Sequence, residues 1–418
     1  MEWCVYPSTL NGSVKAPASK SMMQRAIAAA MLSKGKCVIY NPSYCDDSLA
    51  AINIISSLGA KAKPMPDELI IESGGGLKEK TLNCGESGLA IRMFSPIAAL
   101  FAEEIRLTGA NTLRKRPMNI ITEALSELGV KCSSEGGLLP ISVKGPLKGG
   151  KIKIDGSLSS QLLTGLLMAL PLAKNDAEII VNNLKSRPYI DMTIKLLNDF
   201  GITIINDNYS VFSVPANQKY ISRNYTVEGD WSGGAFLLVA GAINGKITVS
   251  GLQQSSAQSD KNILTALKDA GAKPDITNDA ITVEPAELKS FTFDATHSPD
   301  LFPPLATLAA YCKGETLIKG VSRLIHKESN RAEAIVNEFS KLGISIDIEG
   351  DIMKITGGKP AGGNVESHED HRMAMAMAVA AVSASGKVCI KDAQSVAKSY
   401  PDFFDDIKLL GARIAFSG

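Results

Sequence analysis

Six stretches of the chain are apolar all round the helix each predicts: "SKSMMQRAIAAAMLS", "GESGLAIRMFSPIAALF", "SLSSQLLTGLLMALPLA", "DWSGGAFLLVAGAI", "SPDLFPPLATLAAYC" and "EDHRMAMAMAVAAV". A helix without a polar face belongs in a core. Between them lie amphipathic stretches such as "DDSLAAINIISSLG" and "NRAEAIVNEFSKLG", which predict helices exposed on one side. Before each amphipathic stretch comes a short apolar run that reads as a strand: "CVIYNP", "IRLTGA", "EIIVNN", "KITVSG", "TLIKGV" and "VCIKDA".

The amphipathic stretches end on Leu-Gly or a near variant. Their glycines are Gly59, Gly129, Gly201, Gly271, Gly343 and Gly411, at intervals of 70, 72, 70, 72 and 68 residues. So regular a period marks an internal repeat, and a glycine there suits the left-handed residue that closes a helix. After each glycine the pattern gives two strands, a loop and another short strand ("SVKAP", "KTLNC", "KIKID", "YTVEG", "FTFDA", "NVES"). The unit is βαβαββ, six times over. The sixth copy ends one strand short after "ARIAFSG", and the N-terminal "EWCVYPS" is placed to supply it. The expected fold is α/β, with two lobes of three βαβαββ units around buried parallel helices. One lobe takes residues 14–227, the other 1–13 plus 228–418, with the active site in the interlobe cleft.

Charge is balanced, 44 Lys+Arg against 43 Asp+Glu, so no overall field favours nucleic acid or an anionic membrane. Anion binding must come from local placement. "MEWCVYPSTL" has no basic segment followed by an apolar core, and no window is long enough to span a bilayer, so a cytoplasmic protein is expected. Seven cysteines without a C-x-x-C pair predict reduced, mostly core thiols rather than a disulfide framework or a zinc site. Metal chemistry has little support: His297, His326, His368 and His371 form no H-E-x-x-H, and Asp46 with Asp47 reads as the cap of a surface helix. G-x-x-x-x-G-K-[ST] and G-x-G-x-x-G are both absent, and "SGGGLKEK" reads as a turn.

The heads of the apolar helices carry Lys20, Ser21 and Arg25; Gly88 and Arg92; Ser159, Ser160 and Gln161; Asp230; Asp300; and His371 with Arg372. Any one of these reads as a cap or a solvated charge. Together they read differently, because Arg25, Arg92 and Arg372 lie in apolar segments, an unfavourable place for a cation with no anion to meet. Parallel buried helices present their N-termini at one face, where free N–H groups and the dipole attract anions. Loops add further bases: Arg114, Lys115 and Arg116 in "TLRKRPM", Ser186, Arg187 and Tyr189 in "SRPYID", Lys327, Glu328 and Arg331 in "HKESNR", and Lys398 in "AKSYPD". Such a site suits small molecules with several phosphate or carboxylate groups.

"APASKSMMQRA", "GESGLAIR", "LRKRPM", "DGSLSSQLLTGLLMALPL", "SRPYIDMT", "VEGD", "HSPD", "HKESNR", "EDHRMAMA" and "AKSYPDFF", in this order and over nearly the whole chain, resemble the 5-enolpyruvylshikimate-3-phosphate synthases of the enolpyruvyl transferase family. The resemblance implies transfer of the enolpyruvyl group of phosphoenolpyruvate to the 5-hydroxyl of shikimate 3-phosphate, releasing phosphate, on the route to chorismate and aromatic amino acids. It implies small-molecule substrates only, a monomer, no cofactor and no metal. Carried over, Ser21 and Arg25 hold the shikimate carboxylate, and Ser159, Ser160 and Ser186 its phosphate, with Gln161 and Tyr189 at the ring. Lys20, Gly88, Arg116 and Gln161 surround the phosphate of phosphoenolpyruvate, and Arg331, Arg372 and Lys398 its carboxylate. Asp300 and Lys327 sit at the attacking hydroxyl. Lys20 and Glu328 are candidates for proton transfer at the vinyl carbon, and Asp300 for the hydroxyl proton.

The chain departs from the family pattern at Ala18, where a glycine is usual, at Glu86 to Leu89, at Arg323 and at Asn330. These positions bear on fine contacts and on glyphosate, the family's competitor of phosphoenolpyruvate. His371 reads equally as a structural residue or a substrate contact. UDP-N-acetylglucosamine enolpyruvyl transferases share the fold but carry a reactive loop cysteine that "TLRKRPM" lacks. A non-catalytic repeat scaffold leaves Arg25, Arg92 and Arg372 unexplained.

Overall fold

In the computed structural model, which describes residues 1–157, 159–325 and 327–416, the helices come in pairs. They are α1 (Lys20–Leu32) and α2 (Asp46–Ser57), α3 (Gly88–Ala98) and α4 (Asn119–Glu127), α5 (Gln161–Ala169) and α6 (Arg187–Asp199), α7 (Trp231–Asn244) and α8 (Ile263–Asp269), α9 (Phe302–Ala310) and α10 (Arg331–Lys341), and α11 (His371–Ala381) and α12 (Phe403–Leu409). The first of each pair is buried almost end to end and the second exposes one side, as the two apolar patterns predict. All six repeat glycines have φ between 75° and 107°, so each closes its helix in the left-handed region. His326, one of the four histidines weighed above, lies outside the described residues, as does Leu158 of "SLSSQ".

The strands form six four-stranded sheets of one design. In the second repeat, Thr81–Asn83 runs parallel to Glu104–Thr108, which is antiparallel to Leu138–Lys144, itself paired with Lys131–Glu135. Three sheets are built in this way from a single stretch of chain, and three borrow a strand. Tyr225–Thr226 pairs with Lys36–Tyr40, and Leu10–Lys15 with Gly245–Ser250. Glu2–Tyr6 lies between Val388–Lys391 and Arg413–Phe416, the place left open in the sixth repeat.

The chain divides into two compact units, Met1–Pro17 with Glu228–Gly418 (unit 1) and Ala18–Val227 (unit 2). The boundary expected at residue 14 falls inside strand Leu10–Lys15. Its ladder to Gly245–Ser250 keeps Val14 and Lys15 in unit 1, so unit 2 begins later than the sequence pattern suggests.

In unit 1, α7, α9 and α11 pack on one another around Phe236, Phe302, Leu305, Met373 and Met377, all inaccessible to solvent. A fully buried side chain of this kind contributes about 1.5–3 kcal/mol. In unit 2, α3 packs on α1 and α5. The contact with α5 needs Gly165, where a Cβ would lie 2.6 Å from the Arg92 carbonyl oxygen and 2.8 Å from the Met93 Cα. Close approach here brings Arg92 of α3 to Gln161 at the head of α5, 3.2 Å between Nη1 and Oε1.

One expectation about the cysteines is corrected. Cys4 and Cys389 face each other in register on neighbouring strands and form a disulfide, with Cα atoms 3.9 Å apart. Their separation of 385 residues hides the pairing in the sequence, because insertion of the N-terminal strand creates it. Cys37, Cys45, Cys84, Cys132 and Cys312 are free thiols, as expected. No helix among the described residues is long and apolar enough to cross a membrane.

Candidate active site

In unit 2 most of the residues expected at the site lie at the heads of α1, α3, α5 and α6. Ser19 caps α1 by accepting from the Met22 N–H, and the next residue, Lys20, pairs with Asp47 at 2.9 Å. Asp47 is in the first turn of α2 and is buried, so it does more than cap a surface helix. Arg25, one turn into α1, is 1% exposed. It donates to the Ser21 carbonyl (2.7 Å), Thr193 Oγ1 (2.9 Å), Thr164 Oγ1 (3.3 Å) and the Tyr189 carbonyl (3.4 Å). All four acceptors are neutral, and among the described residues no carboxylate pairs with it. Burial therefore lowers its pKa to about 10.

Gly88 opens α3 behind its cap, Ser87. A Cβ at Gly88 would lie 2.5 Å from Arg116 Nη1 and 3.0 Å from Arg92 Nη1, so the bare backbone is what admits the two guanidiniums. Arg92 also donates to the Gly88 carbonyl at 3.1 Å. At the head of α5, Ser159 Oγ accepts from the Gln161 N–H at 3.1 Å and Ser160 is buried. Ser186, the residue before α6, holds φ 55° and ψ 42°. Such a conformation is uncommon outside glycine and tends to mark functional sites.

The second cluster, in unit 1, centres on Asp300. Its Oδ1 accepts from Lys327 Nζ (3.2 Å) and Arg331 Nη1 (2.9 Å), and its Oδ2 from Arg372 Nη2 (3.1 Å). Burial alone would raise its pKa, yet the charges of Arg372, Lys327 and Arg331 hold it well below the usual carboxylate range. Arg331, fully buried at the head of α10, also binds Asp370 (Nε to Oδ2, 2.9 Å) and Glu328 (Nη2 to Oε2, 2.6 Å). Burial opposes its charge, and Asp370, Glu328 and Asp300 more than reverse that effect. The Lys327 ammonium is lowered by burial, against the pull of Asp300.

Asp370 does two things at once. It caps α11 by accepting from the Arg372 N–H at 2.9 Å, and it fixes Arg331. His371 is buried, with Nδ1 3.9 Å from Asp370. Lys398 Nζ donates to the Glu369 carbonyl at 2.6 Å, gripping a turn in which His368 and Glu369 both have positive φ.

The carried-over residues thus fall into two groups. In unit 2, Arg25 meets Tyr189 together with Thr164 and Thr193, and Arg92, Arg116 and Gln161 gather at Gly88; in unit 1, Asp300 joins Lys327, Arg331 and Arg372, and Arg331 adds Glu328 and Asp370. From the sequence, Thr164, Thr193 and Asp370 have no part in the site, and Asp47 only that of a helix cap. Asp370, directly before His371 and Arg372, was the most visible of them. Among the described residues, Glu2, Cys4 and Cys389 bring ligand atoms within 4.8 Å of one another, but the two sulfurs are bonded together.

A family profile described as EPSP synthase (3-phosphoshikimate 1-carboxyvinyltransferase) matches residues 5–407. The chain is 41% identical to the 3-phosphoshikimate 1-carboxyvinyltransferase of Clostridium perfringens over 413 residues, 97% of each chain. It is 38% identical to that of Clostridioides difficile, covering 98% of this chain and 97% of the relative. Among solved structures, EPSP synthase from Acinetobacter baumannii superposes with a TM-score of 0.84 at 25% identity, covering 99% of this chain and all of that one. The enolpyruvyl transferase NikO from Streptomyces tendae has a TM-score of 0.82 at 17% identity, over all of this chain and 98% of its own, and shares the fold. The heads of the buried helices, the sixfold repeat and these likenesses agree, and the chain belongs to the EPSP synthase (3-phosphoshikimate 1-carboxyvinyltransferase) family.

Proposed function

We propose that this chain transfers the carboxyvinyl group of phosphoenolpyruvate to the 5-hydroxyl of shikimate 3-phosphate, releasing phosphate through a tetrahedral intermediate. The observation that carries the reading is Arg25: a buried guanidinium held by neutral acceptors gains most from an incoming anion. In this reading Arg25 and Ser21 take the shikimate carboxylate, and Ser159, Ser160 and Ser186 its phosphate. Gln161 and Tyr189 face the ring. Lys20, Gly88, Arg116 and Gln161 take the phosphate of phosphoenolpyruvate, and Arg331, Arg372 and Lys398 its carboxylate.

The chemistry needs a proton delivered to the vinyl carbon and one removed from the 5-hydroxyl. Lys20 and Glu328 act at the carbon. Asp300, with Lys327 beside it, orients the hydroxyl and receives its proton as the C–O bond forms. The three cations on Asp300 make it a weak base in the form described, so a substrate carboxylate that draws Arg331 or Arg372 away strengthens it at the right moment. The protein acts as a monomer in the cytoplasm.

The test is coupled phosphate release from phosphoenolpyruvate by purified protein. Release is expected only with shikimate 3-phosphate present; release driven by UDP-N-acetylglucosamine would overturn the assignment.

A further inference from the structure

Strand Gly363–Glu366 is joined to α11 by the turn Ser367–Asp370, closed by the Asp370 N–H donating to the Ser367 carbonyl at 2.9 Å. Both central residues lie in the left-handed region, His368 at φ 55° and Glu369 at φ 56°. Positive φ at both positions suits Asn-Gly and works against longer side chains, above all at Glu369, so support must come from outside the turn. Two neighbours supply it. Ser367 anchors the first position, donating from N to the Lys391 carbonyl (3.0 Å) and from Oγ to the Asp392 carbonyl (2.9 Å). From α10, the buried carboxylate of Glu338 reaches the centre: Oε1 lies 2.7 Å from His368 Nε2, while Oε2 accepts from the Glu366 N–H and from Lys341 Nζ, each at 2.8 Å. Lys341 and the Glu366 N–H already give that carboxylate a counter-charge and a backbone donor. Contact with His368 adds a hold on the turn.

The turn so held bonds to three cations. The Glu369 carbonyl accepts from Lys398 Nζ (2.6 Å), and the Asp370 carboxylate accepts from Arg331 Nε and from the Arg372 N–H (both 2.9 Å). These are the three residues assigned to the carboxylate of phosphoenolpyruvate. We propose that Glu338 and His368 are positioning residues for that carboxylate: their contact keeps the Ser367–Asp370 turn left-handed, and the turn sets where Lys398, Arg331 and Arg372 stand. Neither residue touches substrate, and no covalent bond changes through them. The inference rests on the role proposed for the three cations.

The experiment measures kcat and the KM of each substrate for the wild-type protein, for His368→Ala and for the double variant His368→Asn with Glu369→Gly. Removing the imidazole should raise KM for phosphoenolpyruvate by about tenfold, the worth of one charge-assisted hydrogen bond, with kcat little changed. KM for shikimate 3-phosphate, whose carboxylate and phosphate are assigned to unit 2, should stay at the wild-type value. The double variant also lacks the contact with Glu338, but Asn-Gly adopts the left-handed turn by itself, and Glu369→Gly keeps the carbonyl that Lys398 uses. It should bring KM for phosphoenolpyruvate most of the way back to the wild-type value, a rescue that a residue acting only on general stability does not give. An unchanged KM in His368→Ala, or a double variant as impaired as His368→Ala, overturns this inference and leaves the functional reading standing. A wild type that neither turns over nor binds phosphoenolpyruvate sinks the functional reading, and this inference with it.

Discussion

Arg25 in unit 2 and Arg331 in unit 1 are both guanidiniums removed from water, and the protein treats them in opposite ways. Arg25 is met by two hydroxyls and two carbonyls, and burial lowers its pKa to about 10. Arg331 is met by Asp300, Glu328 and Asp370, which push its pKa up. Buried charge costs several kcal/mol unless it is paired, so the first arrangement leaves a demand for an anion and the second has met its demand internally. An anionic ligand at Arg25 supplies a missing partner. One that reaches Arg331 must replace a carboxylate already in place.

The largest effects expected are on turnover, where each cluster loses one cation. Lys20→Met in unit 2 and Arg372→Ala in unit 1 should each lower kcat by about 10²–10³-fold or more while the purified variants keep the wild-type fold by circular dichroism. Normal activity in either variant removes that residue from the site. Next comes stability, which tests the comparison itself. Arg331→Ala leaves three carboxylates facing one another and should cost about 3–5 kcal/mol in denaturant unfolding. Arg25→Ala removes a charge that has no counter-ion and should change stability by about 1 kcal/mol or less, although anion binding is lost. Equal losses in the two variants would break the distinction.

Much of this was legible in the sequence because each repeat states the same pattern. Helix kind, strand order and the closing glycines follow from periods that local sequence carries. What the sequence hid was long-range placement. Strand Leu10–Lys15 reads as the opening of its own repeat, yet its hydrogen bonds go to Gly245–Ser250, over two hundred residues away. Cys4 and Cys389 read as two of seven unrelated thiols for the same reason. At the site, the basic residues stood out because a cation in an apolar segment is anomalous. Their acidic partners Asp47 and Asp370 did not, since an acid at a helix start already has an ordinary explanation as a cap. Asp300 stood among the residues at the heads of the apolar helices, but only the family resemblance gave it a role. That it is clamped by three cations depends on chain reversals that no local pattern records.

The disulfide sharpens the contrast at an intermediate scale, because it ties the N-terminal strand of unit 1, whereas the free thiols of unit 2, Cys37, Cys45, Cys84 and Cys132, tie nothing. Closing so long a loop restricts the unfolded chain, and loss of the bond by Cys4→Ser should cost about 2–4 kcal/mol. Reductant should lower the unfolding midpoint of the wild type and leave that of Cys4→Ser where it was. A wild-type midpoint indifferent to reductant would show that strand pairing alone secures Glu2–Tyr6.

The smallest effect tests whether pairing in unit 1 extends beyond the site. His368 Nε2 lies 2.7 Å from Glu338 Oε1, and Lys341 reaches the same carboxylate at 2.8 Å. The hydrogen bond to Glu338 raises the pKa of His368 above its ordinary 6.5. Burial alone would raise that of Glu338, but its bonds to His368, Lys341 and the Glu366 N–H bring it below its ordinary 4.5. The signs then fix the window. A raised histidine contributes its full stability below 6.5 and loses it as pH climbs through the folded value; a lowered carboxylate contributes above 4.5 and loses it as pH falls. The pair should be worth most between about pH 4.5 and 6.5, by no more than about 1 kcal/mol because the imidazole is part-exposed. His368→Gln should flatten stability against pH on the alkaline side of that window and leave the acid side governed by Glu338 and Lys341. If the variant instead follows the wild type on both sides, His368 takes no proton from this contact, and the dense pairing of unit 1 stops at the Asp300 cluster.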